Sequence, residues 1–166
     1  MAEYQFIGES NAVAYEAPGY VVMKKYVDVA ALIAAPQMLA LASAPNTPLT
    51  SFTGFAAADV VNLFHVPAGF VARMAGMYVQ SADTNAATIA LGIGGATAAF
   101  MAATAINSTG ATITVVGDAY GANSLMAKEF VANDTVDALL ASATAIDAKI
   151  HFFLEGYKAF DITSVV

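Results

Sequence analysis

Apolar and polar positions along this chain alternate in short runs broken by turn residues, the pattern of strands rather than of helices. The alternation is clearest from Ala148 to Tyr157, where Ile150, Phe152 and Leu154 interleave with Lys149, His151 and Glu155. This run predicts a strand with one dry face, and Phe153 predicts partial cover on the other. Thr135 to Ser142 reads as its hairpin partner, joined through the small-residue loop 143–147. A second hairpin is predicted around Val66-Pro67-Ala68-Gly69, since proline presets the first turn dihedral and glycine suits the last turn position. Its strands run from Val60 to Val66 and from Phe70 to Gln80. Further strands are predicted at Tyr20 to Val29, at Thr88 to Ile93, and at Ile113 to Val116 after the turn Ser108-Thr109-Gly110.

Two stretches read differently. Ala96 to Ala105 is alanine-rich around Phe100 and Met101, and propensity predicts a short helix there. Ala30 to Ala44 also holds helix formers, but Pro36 and Pro45 restrict the extent of any helix. Residues 45–58 read as a long loop. Residues 1–19 read as an extended acidic arm, with Tyr4, Phe6 and Tyr15 set between Glu3, Glu9 and Glu16. No internal repeat or dividing linker is visible, so 20–166 reads as a single domain. Short strands joined mostly by turns predict an all-β fold, an antiparallel sandwich or barrel.

Composition changes what such a fold must do. Only 11% of the 166 residues are charged and 58% are hydrophobic, against roughly 25% charged in an ordinary soluble domain. The mean hydropathy is +0.65, yet the apolar excess is mostly alanine. A chain with so little charge lacks the usual coat of a free-standing globule and predicts a surface packed against other chains. Absence of cysteine excludes disulfides, thiolate metal sites and a cysteine nucleophile. The net charge is -7 and the six basic residues are scattered along the sequence, with only Lys24 and Lys25 adjacent, which argues against a nucleic-acid partner. Ala86 to Ile106 carries no charge and is long enough to span a bilayer, but it is broken by Gly92, Gly94 and Gly95 and lacks basic and aromatic anchors. It does not read as a membrane span.

No residue pattern carries chemistry. His65 and His151 fall in separate predicted strands, without the convergent ligands a metal needs. No nucleophile elbow occurs. Asp134 and Asp137 stand three apart in a strand, on opposite faces, and read as solvated turn acids. Gly92-Ile93-Gly94-Gly95 lacks the third glycine of a dinucleotide fingerprint, which would fall at Thr97. Asp83 and Asn85 lack the rest of a calcium loop. The expectation is a non-enzyme, with no catalytic residue, no cofactor and no metal.

With the strands placed, the stretch from Val60 to Phe160 resembles a recurrent structural domain of tailed-phage virions. The resemblance rests on Val61-Asn62-Leu63-Phe64-His65-Val66-Pro67-Ala68-Gly69, then Ala87-Thr88-Ile89-Ala90-Leu91-Gly92 and Phe100-Met101-Ala102-Ala103-Thr104-Ala105. It closes with Phe130-Val131-Ala132-Asn133-Asp134-Thr135-Val136 and Lys149-Ile150-His151-Phe152-Phe153. It implies a jelly-roll-like β-sandwich with one or two short helices and the N-terminal arm, used as a capsid cement or decoration protein. The implied partners are the major capsid protein and further copies of the chain, a trimer suiting local threefold positions, with neither nucleic acid nor membrane. The implied location is the capsid exterior, after synthesis in the host cytoplasm. Tyr4, Phe6 and Tyr15 of the arm are the expected capsid contacts. The alternative is a tail-associated receptor- or glycan-binding jelly-roll module, with Tyr78, Tyr120 and Tyr157 as its candidate aromatics.

Overall fold

The computed structural model describes residues 1–7, 12–17, 19–115 and 128–158, with side chains described throughout except at 12–17, 114 and 115. In chain order the strands are β1 (Glu3–Phe6), β2 (Ala12–Ala17), β3 (Tyr20–Asp28), β4 (Leu39–Leu41), β5 (Val60–Val66) and β6 (Phe70–Ser81). They continue with β7 (Thr88–Ile93), β8 (Ala96–Ala105), β9 (Gly110–Val115), β10 (Lys128–Glu129), β11 (Asp134–Ser142) and β12 (Lys149–Lys158). They form two sheets. The first runs β4-β1-β5-β11-β7-β8; the second runs β10-β6-β12-β3-β2, with β9 also on β6. All pairs are antiparallel except β1 with β5. The protein is therefore an all-β sandwich.

Among the described residues one α-helix, α1 (Val29–Ala34), crosses between the sheets. The Asp28 carboxylate caps it by accepting from the Ala31 N–H at 3.0 Å. It stops before Pro36, whose ring disfavours a helical Ala35, and a single 3-10 turn at Pro36–Met38 leads into β4. The core lies between the sheets, where Phe64, Phe70, Phe100, Met77, Leu91, Ile150 and Leu154 are fully buried. Phe130 bridges Phe70 and Phe100, with ring centroids 6.3 Å from each. Under the 45–58 loop, Phe52 and Phe55 make a second aromatic cluster 4.7 Å apart.

Three expectations change. The segment 96–105 is a strand: it pairs with β7 and buries Phe100 and Met101, and this pairing outweighs the weak preference of alanine for helix. The uncharged stretch 86–106 is thus a β-hairpin. Its first strand is buried at Ile89, Ala90, Leu91 and Gly92, which accounts for its lack of charge. Neither predicted inter-strand hairpin forms. β5 and β6 lie in different sheets, as do β11 and β12. The Val66–Gly69 corner bonds instead to the neighbouring connection between β10 and β11: the Gly69 N–H donates to the Phe130 carbonyl at 2.7 Å and the Ala68 N–H to Asn133 Oδ1 at 2.9 Å. Of the segment 1–19, the described strands β1 and β2 are built into the two sheets rather than standing apart. β1 sits between β4 and β5, and β2 pairs with β3.

Candidate interaction surface

Strand β12 lies between β6 and β3, so its period-2 alternation builds two faces of the second sheet at once. Ile150, Phe152 and Leu154 point into the core, as the sequence predicts, and His151, Phe153, Glu155 and Tyr157 point outward. On the outer face His151 lies directly between Tyr26 of β3 and Tyr78 of β6. The three rings stand side by side, with centroids 4.7 Å and 6.1 Å from that of His151 and planes inclined by 36° and 35°. Gln80 Oε1 holds His151 Nε2 at 2.9 Å.

The next row across the sheet runs Ile113, Gly76, Phe153, Lys24. A Cβ at Gly76 would stand 2.8 Å from Phe153 Cζ and 2.4 Å from the Thr112 carbonyl oxygen, so the glycine lets that ring lie low over the strand. The result is a hollow of about 500 Å³ between Tyr78, Ile113 and Met74, floored by Phe153 and rimmed by Lys24 and Glu155. Tyr26 and Tyr78 are each 46% exposed and Ile113 is 56% exposed. At the far end Tyr157 packs edge-on against Tyr20 at 5.3 Å and lies beneath the Arg73 guanidinium at 5.7 Å.

The cations, though not the acids, are sorted between the sheets, since Glu16, Asp28, Glu129 and Glu155 also lie on strands of the second. All six basic residues, scattered in the sequence, fall on strands of the second sheet: Lys24 and Lys25 on β3, Arg73 on β6, Lys128 on β10, Lys149 and Lys158 on β12. The strands of the first sheet carry Glu3, Asp134 and Asp137 and no cation. On the outer face of the second sheet, Lys149 pairs with Asp28 at 3.2 Å. A hydrogen bond from Tyr20 to Glu155 pushes the tyrosine up to about 12. Lys24 is exposed at the rim of the hollow.

The expected contact residues lie elsewhere. Tyr4 packs against Phe52 and Phe55 at 5.6 Å and 5.5 Å. Burial raises its pKa, with the neighbouring Asp59 adding to the effect. Phe6 lies under the Lys25 ammonium, 3.9 Å from the ring centroid. Tyr15 is on β2 opposite Val22, and its side chain lies outside the described residues, as do Tyr120 and the acids Glu9 and Glu16. Tyr4 and Phe6 thus serve the joint between the sheets. The histidines His65 and His151 are both exposed and sit in different sheets.

Two buried carboxylates are structural clamps. Asp83 accepts from the backbone N–H groups of Asn85, Ile146, Asp147 and Ala148 at 2.8–3.2 Å, which takes up both of its oxygens. Asp59 accepts from Ala2 at 2.7 Å and Ala56 at 2.9 Å, fastening the start of β1. Asp137 corrects the sequence reading of a solvated turn acid. It is 4% exposed, in the middle of the first sheet opposite Asn62, and Oδ1 of each is buried without a hydrogen bond. Its pKa is pushed up to about 6, chiefly by burial and further by Glu3 and Asp134, against an opposing hydrogen bond with Thr135. Asp134, by contrast, is exposed and bonds to the next N–H.

The fold defines a class of two-sheet, all-β proteins also found in phage shells. It is similar to a chain in the capsid of Ralstonia phage GP4, with a TM-score of 0.60 and 16% identity, covering 96% of this chain and 100% of that one. It is also similar to a chain of the capsid asymmetric unit of cyanophage Pam1, with a TM-score of 0.54 and 14% identity over 90% of this chain and 94% of that one. No protein-family model matches the sequence, and no curated protein does. At such identities the likeness is one of fold.

Proposed function

We propose that this chain is a structural, non-enzymatic protein of a tailed-phage virion, a cement or decoration protein bound on the shell between major capsid subunits. The observation that carries this reading is the end-to-end match, 96% of this chain against 100% of a chain in a phage capsid. A subunit of comparable length and fold therefore occurs within a shell. The low charge and the aromatic outer face of the second sheet suit a protein that works in contact with others. Binding only the assembled shell would stabilise it by mass action. Copies of the chain would associate at local threefold positions.

Phage shells assembled without this chain, incubated with the purified protein and sedimented, test the reading. Saturable co-sedimentation, with a rise in the temperature at which the shells open, is the expected result. Failure to bind at micromolar concentration overturns it. Light scattering of the free protein tests self-association, and a clean 17.0 kDa species counts against preformed trimers.

The glycan-binding alternative draws less support from the geometry. Sugar rings stack on open aromatic faces; of the candidate aromatics, Tyr157 is flanked by Arg73 and Tyr20, while Tyr78 stands 46% exposed beside His151.

A further inference from the structure

We propose that the mature chain begins at Ala2: the peptide bond after Met1 is hydrolysed, and the α-ammonium group so formed pairs with the buried carboxylate of Asp59. The proposal is independent of the shell-binding reading and of whatever precedes Met1. Among the described residues, the Ala2 nitrogen is the first atom of the chain with a hydrogen bond to the rest of the fold. It donates to Asp59 Oδ1 at 2.7 Å, and the Ala2 carbonyl accepts from the Val60 N–H at 2.9 Å. On the other side of that nitrogen Met1 is 93% exposed, a large apolar side chain in open water.

The surroundings of Asp59 suit a cation. The residue is 5% exposed, just ahead of β5, and buried carboxylates are seldom left without a counter-charge. Yet the donors that meet it are neutral: the Ala2 N–H on Oδ1, the Ala56 N–H on Oδ2, and the Tyr4 hydroxyl nearby. All six basic residues lie on strands of the second sheet. Hydrolysis before Ala2 supplies the missing charge at an atom already in place. Water adds its hydroxyl to the Met1 carbonyl carbon, the C–N bond breaks, and the Ala2 nitrogen leaves with the proton as an ammonium. The co-reactants are water and a hydrolytic peptidase that accepts a small residue after the cut. Cleavage precedes the docking of β1, because in the folded chain this nitrogen is already engaged by Asp59. One ammonium N–H then keeps the contact with Asp59, and the other two face the solvent that surrounds Met1. The hydrogen bond becomes one between opposite charges, the stronger kind. The ammonium stays partly hydrated, so it escapes most of the desolvation cost of a fully buried pair.

Three forms of the full chain test the proposal: one released from a cleavable tag so that it begins at Ala2, one released so that it keeps Met1, and one beginning at Ala2 with its amine acetylated. At pH 6, where an α-amine is protonated, the free Ala2 form is expected to melt about 3–6 °C above the other two. In Asp59→Asn that margin should vanish. Equal melting of the three forms overturns the ion pair, as does a margin that persists in Asp59→Asn. Should Asp59→Asn fail to fold, the free and acetylated Ala2 forms decide between them, since they differ at the amine alone. Intact mass and N-terminal sequencing of the untagged chain are expected to give a free Ala2 as the first residue. A mature chain that keeps Met1, is cut elsewhere, or carries an acetyl group on Ala2 overturns the proposal.

Discussion

Replacing Asp137 with asparagine should make the protein more stable at neutral pH, although Asp137 is buried in the middle of a sheet. Burial pushes its pKa in the folded protein up to about 6 from the ordinary 3.8. The folded protein therefore holds a proton there that the unfolded chain gives up. Below about pH 4 both states are protonated and the site carries no penalty. As the pH rises towards and past 6, an unpaired carboxylate must be held out of water, and stability falls. At roughly 1.4 kcal/mol per pH unit the difference corresponds to about 2–3 kcal/mol at pH 7. Asparagine removes the charge, keeps the shape, and supplies an amide N–H for the unbonded Asn62 Oδ1 across the strand pair. Urea unfolding of Asp137→Asn and wild type between pH 4 and pH 8 isolates the effect, since other titrating groups cancel in the difference. The curves should converge near pH 4 and separate above pH 6, with a melting temperature raised by roughly 5–10 °C at pH 7. A pH-independent difference, or a variant less stable than wild type at pH 7, would refute this account.

Other perturbations follow from the buried contacts. Asp83→Ala strips acceptors from four backbone N–H groups and should cost about 3–5 kcal/mol in chemical denaturation. Phe152→Ala should cost a similar amount through the cavity it leaves, whereas His151→Ala, exposed on the opposite face, should cost under about 1 kcal/mol. Deleting residues 1–7 removes β1 from between β4 and β5 and should lower the melting temperature. An unchanged melting curve would mean that the first sheet stands without that strand.

Much of the strand map was legible because period-2 alternation is a local property: Ile150, Phe152 and Leu154 declare their face without reference to any neighbour. Which sheet a strand joins is not local. The turn at Pro67–Gly69 looks like a hairpin until Phe130 and Asn133 take its N–H groups. Alanine misled at 96–105, where its intrinsic preference is smaller than the gain from burying Phe100 and Met101. The arm was misjudged because β1 is short and finds its partners only in β4 and β5, far along the chain. Half of the candidate surface was visible: Lys24 and Tyr26 share the polar face of their strand in any alternation count. The gathering of the cations on one sheet was not, since residues from 24 to 158 meet only through pairing order.

The position of β12 has a consequence for how the molecule comes into being. It is the last strand in chain order among the described residues, yet it lies in the interior of the second sheet, between β6 and β3. While the chain is still on the ribosome, these two strands present open edges with no partner to separate them. The second sheet therefore closes only after residues 149–158 have emerged, late and through contacts distant in sequence. Any nascent or truncated chain that ends before residue 149 leaves one edge of each of these apolar-rich strands open, the form in which β proteins aggregate. Synthesis through residue 158 thus acts as a checkpoint, because only a chain that includes β12 can mask the facing edges of β3 and β6.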